Sequence, residues 1–85
     1  MNELVLYEDE INSLLKCDDR IEEANRCLLK TNNREDHKTM TEHLNNAFMM
    51  RNETINNIVN NYNLNSKIRI VQIIPEENKI IYSKV

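Results

Sequence analysis

A long antiparallel helical hairpin followed by a C-terminal β-hairpin, an α+β fold, is what the spacing of apolar residues predicts. Three observations lead there. The apolar positions recur every three or four residues from Leu4 to Tyr62, the period changes to β-branched runs after Lys67, and the chain of 85 residues contains no glycine. Glycine supplies most of the positive φ angles in tight turns and helix C-caps, so its absence favours few, long elements, with asparagine filling the turns. Asparagine does cluster, at Asn32-Asn33 and between Asn56 and Asn65.

The first helix is expected over about residues 3–30, with Leu4, Tyr7, Ile11, Leu14, Cys17, Ile21, Ala24 and Leu28 on one face. Asn2 would cap it, Glu3 would lie at the positive end of its dipole and Lys30 at the negative end. A competing reading makes Leu4-Val5-Leu6-Tyr7 a short strand and starts the helix at Glu8 or Asp9. Thr31-Asn32-Asn33 breaks the period, and Asn33 is placed to cap a second helix over about residues 34–62 that carries Met40, Leu44, Ala47, Phe48, Ile55, Ile58, Val59 and Tyr62. Arg51 and Asn52 interrupt that stripe. Equal helices of roughly 42 Å joined by a short linker form a coiled-coil-like hairpin.

Two β-branched runs, about residues 67–74 and 79–85, flank Pro75-Glu76-Glu77-Asn78 and read as a β-hairpin with Ile74 opposite Lys79. A regular ladder in that register puts Val71, Ile73, Ile80 and Tyr82 on one face and Ile68, Ile70, Ile74, Ile81 and Val85 on the other. With both faces apolar, the second face calls for cover by a second copy of the chain, by the N-terminal segment or by a partner. Residues 1–62 and 63–85 are expected to make one domain, and a homodimer seamed on the ribbon is the expected assembly.

Chemistry is sparse. Without glycine there is no phosphate-binding loop and no nucleophile elbow. His37 and His43 lie six positions apart, so on a helix they diverge by about 120° and cannot share a metal. Cys17 and Cys27 lie on one expected helix about 15 Å apart, too far for a disulfide, which favours a reducing compartment. No apolar run reaches the roughly 18 residues of a membrane span, and no basic-then-apolar leader is visible. The expectation is a cytoplasmic protein with no enzymatic activity and no cofactor, which acts by binding a partner protein. Its short, motif-poor, asparagine-rich character fits small phage or viral regulators and inhibitors, and equally many small bacterial proteins.

Three sets of residues are candidates for contact. The acidic side chains Glu8, Asp9, Asp18, Asp19, Glu22 and Glu23 on the first helix offer a docking face for a basic partner, with a solvated helix surface as the plainer reading. Phe48, Met49 and Met50 span about 200° of the second helix, so at least one faces outward; Phe48 is expected in the core, and Met49 and Met50 as adaptable contact points. Lys67, Arg69, Lys79 and Lys84 with Tyr82 would track a phosphate backbone if the protein bound nucleic acid, although the net charge of −3 argues against tight nonspecific binding. A structural assembly or chaperone-like subunit is the remaining alternative.

Overall fold

A computed structural model describes residues 1–85. It contains strand β1 (Asn2–Val5), helix α1 (Glu8–Lys30), helix α2 (Arg34–Asn61), strand β2 (Ile68–Ile74), a 3-10 turn at Pro75–Glu77 and strand β3 (Lys79–Lys84). The fold is mostly helical α+β, a helical hairpin followed by a β-hairpin, as the apolar spacing predicts. The strands form one antiparallel sheet in the order β1-β3-β2.

The beginning of the chain departs from the first expectation. Residues 2–5 are a strand and α1 starts at Glu8, so Asn2 caps nothing. Spacing alone cannot decide this segment, because Leu4 and Tyr7 suit a helix while Leu4 and Leu6 suit a strand. What decides is the open side of β3, where β1 pairs Glu3 with Ile81 and Leu4 with Ile80. The Leu6 amide then donates to the carbonyl of Asn78 at 2.7 Å and its side chain enters the core.

Helix α1 begins where the Tyr7 amide donates to the Glu10 carboxylate at 3.1 Å, with Glu8, Asp9 and Glu10 in the first turn at the positive end of the dipole. Asn33 caps α2 as expected: its side-chain oxygen accepts from the amides of Glu35 at 2.8 Å and Asp36 at 3.4 Å. Asparagine takes the place of glycine at the tight corners. The residues at positive φ are Asn63, Asn65 and Asn78, two after α2 and one closing the turn into β3.

The β-hairpin holds a second correction. Ile74 pairs with Lys79 and Ile73 with Ile80, but Ile70 pairs with Tyr82 where a regular ladder would place Val71. Val71 is the extra residue of a β-bulge, and beyond it the alternation of β2 is inverted. Ile68 and Ile70 therefore share a face with Ile73, Ile80, Tyr82 and Leu4. That face packs on the helices, and Ile80 is fully buried at its centre. The outer face keeps Ile74 and Ile81 among Glu3, Gln72, Lys79 and Ser83, and Lys79 reaches Glu3 at 3.6 Å and Glu77 at 3.5 Å. It is a mixed surface, so the ribbon is not apolar on both sides.

Below the sheet, Ile11 and Leu14 of α1 meet Ile55 and Ile58 of α2, together with Leu6, Ile68, Ile80 and Tyr82. Tyr62, at the end of α2, donates its hydroxyl to Glu10 Oε1 at 2.6 Å and ties the helix end to the start of α1. Burial first, then that hydrogen bond and the charge of Glu10, push the Tyr62 hydroxyl up to about 12. The folded chain holds this proton more tightly than the unfolded one, whose tyrosine ionises near 10. The stability it contributes is thus full below about pH 10 and is lost as the pH rises towards 12. Titration of tyrosine absorbance should show a late-ionising component from Tyr62, and Tyr62→Phe should remove that component and flatten the loss of stability above pH 10. A Tyr62→Phe chain that still shows the late component would refute the assignment.

Candidate functional site

The two helices are much longer than the sheet that covers them. At 1.5 Å per residue, α2 is about 42 Å long, matching the 44 Å long dimension of the molecule. The sheet lies over the half nearest the chain ends. The core, including the partly buried residues packed against it, contains Leu15 and Ile55 but nothing between them. In that intervening stretch the only buried side chains are Cys17, Ala24 and Ala47, all small. Small residues let α1 and α2 approach closely, but they bury little apolar area.

The apolar stripe does not stop where the sheet stops. Leu29 lies about five whole turns above Ile11 and so points the same way, yet Ile11 is 1% exposed and Leu29 is 88% exposed. Phe48 lies about two turns from Ile55 on the same face of α2, and its exposure is 46% against 9% for Ile55. Ile21 and Leu28 of α1 and Leu44 of α2 lie between these exposed side chains and the seam of the hairpin, and are half-buried. Together they form an uncovered, partly apolar shelf on the distal half, on the same side as the sheet, with Asp18 and Glu22 lying on the same line of α1 between Ile11 and Leu29.

Asp18 and Arg51 mark the inner limit of this shelf. The Arg51 guanidinium donates to the Asp18 carboxylate at 2.7 Å across the hairpin. Arg51, which interrupts the stripe in the sequence, is thus the partner of one of the acidic candidates, and Asp18 is not free for docking. Glu8, Asp9, Asp19 and Glu23 are exposed along the outward side of α1, interleaved with exposed Lys16, Arg26 and Lys30, while Glu22, two turns before Leu29, is exposed at the edge of the shelf itself. The cations dilute the negative field of that face.

Phe48 is not a core residue, contrary to expectation. Met49 and Met50 are exposed as well, at 62% and 46%, but they point away from Phe48. Met50 turns to the opposite side of the hairpin, where its sulfur meets the Arg20 guanidinium at 3.6 Å. That opposite side carries a shallow groove of about 330 Å³ lined in part by Cys27, Met40 and His43.

Of the ribbon candidates, Ile68 and Ile70 are turned into the chain's own core by the bulge, whereas Ile74, Ile81 and the exposed Val85 remain on the outer side. Among the basic candidates Lys67, Arg69 and Lys84 are exposed. Lys79 is engaged by Glu3 and Glu77, and Tyr82 is 6% exposed, which leaves no ring for a base to stack on.

No helix is long and apolar enough to cross a membrane. By architecture the chain is a small α+β protein, a helical hairpin half covered by a three-stranded antiparallel sheet. No family model, curated protein or solved structure matches it.

Proposed function

We propose that the protein is a non-enzymatic protein-binding module, a small regulator or inhibitor, and that the distal half of its helical hairpin is a surface that another protein chain covers. The observation that carries this reading is the apolar shelf. Leu29 and Phe48 continue the direction of the core residues Ile11 and Ile55, yet Leu29 is almost wholly exposed and Phe48 about half so. Large exposed side chains continuous with a buried stripe mark surfaces that another macromolecule covers. The distal helices also hold only three small buried side chains, so cover would stabilise them as well as bind the partner.

The nucleic-acid alternative has less support. It loses Tyr82 to the core and Lys79 to two carboxylates, and three exposed cations supply only a small counterion-release term on a chain of net charge −3.

A photo-crosslinking amino acid placed at Phe48 tests the reading in living cells, with the same group at the outward-facing Asn12 as control. A discrete adduct from position 48 and none from position 12 is the expected result. Absence of a discrete adduct from position 48, or the same adduct from both, would overturn it.

A further inference from the structure

We infer that the layer covering the distal shelf is the hairpin of a second copy of this chain, packed helix on helix about a twofold axis that crosses both helices near Ala24 and Ala47. The inference rests on the shelf being a protein contact surface and names its occupant.

The width of the apolar arc distinguishes one covering helix from two. Ala24 of α1 faces α2, while Leu29 projects about 140° further round α1; on α2, Ala47 and Phe48 differ by about 100°. An arc of that width suits a helix with two neighbours at right angles, as in a four-helix layer. A single helix laid in the groove between α1 and α2 would cover Ile21, Leu28 and Leu44 and leave Leu29 and Phe48 in water. Two helices side by side are required, at the spacing this hairpin itself provides.

The height of the step agrees. The sheet packs as a second layer on one side of the helices. The sheet thus stands about 10 Å above the uncovered helices, and a helix packs on a helix at about 8–10 Å. A second hairpin lying on the shelf fills the step level with the sheet. Turned by the twofold axis, each copy carries its own sheet at the opposite end, so two step-shaped molecules interlock without collision.

The charges fit the same axis. Glu22 and Arg26 lie at the outer rim of α1, both exposed, and neither makes an ion pair within the chain. In the antiparallel crossing of α1 on α1, an axis near Ala24 brings Glu22 of each copy beside Arg26 of the other. Both pairs form at once, and they form only in that register.

Light scattering coupled to size exclusion, over a concentration series of the full chain, is the first measurement. The expected mass is about twice the 10.1 kDa of one chain, falling to that of one chain in Leu29→Glu/Phe48→Glu with helical circular dichroism kept. Both residues are exposed within the chain, so their replacement leaves the core intact. Glu22→Arg should raise the dimer dissociation constant about tenfold, and adding Arg26→Glu should restore it. Ile74→Lys/Ile81→Lys should leave the mass doubled. A single-chain mass at every concentration, or a dimer abolished by the ribbon pair and kept by the shelf pair, would overturn the inference. A monomer whose crosslinker at position 48 captures a different protein removes the second copy but keeps the contact surface; a monomer with no adduct removes both.

Discussion

Replacing Ile80 by alanine should lower the stability of the chain by about 4 kcal/mol, more than any other single truncation in the sheet. Ile80 is fully buried near the start of the central strand, flanked by Leu4 on β1 and Ile73 on β2. It also belongs to the same core as Ile11, Leu14 and Ile58. Helices and sheet meet over it, so a cavity there cannot be closed by the movement of one element. A chain of 85 residues has about 4–13 kcal/mol of stability in all, so the substitution removes between about a third and all of it. Urea unfolding followed by circular dichroism checks this; a loss under about 1 kcal/mol would mean that the core relaxes around the site.

Removal of residues 1–6 should be nearly as damaging. It takes away the strand paired with β3 from Asn2 to Val5, the bond from the Leu6 amide to Asn78, and the buried Leu6 side chain. Burial of Leu6 and half-burial of Leu4 together contribute about 3 kcal/mol, and the lost backbone bonds leave β3 with an open edge. The shortened chain should lose its cooperative unfolding transition and aggregate at concentrations where the full chain does not. A shortened chain that melts cooperatively within a few degrees of the full one would show that β1 is an accessory.

Much of the architecture is written in local patterns. The period of three to four places both helices, Asn33 has the chemistry of a cap, and Pro75 with Asn78 sets the turn and the pairing of Ile74 with Lys79. Such features are legible because a residue and its near neighbours decide them. What the sequence left open between two readings, or missed, depends on distant partners. Residues 2–5 become a strand because β3 has a free side more than seventy positions away, and no spacing inside the segment can report that. The bulge at Val71 also goes unannounced, because Val71 is as good a strand former as its neighbours; only the need to bury Ile68 and Ile70 with Tyr82 selects it. The candidate site was half legible. The stripe from Leu44 to Phe48 is plain, but whether its cover comes from the same chain depends on the length of the sheet relative to the helices, and no residue encodes that ratio.

The bulge also bears on what happens between molecules. β2 is an outer strand of seven residues, five of them isoleucine or valine, which as a flat ribbon would template the addition of further strands and the growth of fibrils. The extra residue at Val71 bends and twists that strand and spoils the spacing of its free amides and carbonyls, while Arg69 and Lys67 add charge at its start. One inserted residue thus both directs Ile68 and Ile70 inward and makes the outer strand a poorer template for the addition of further strands.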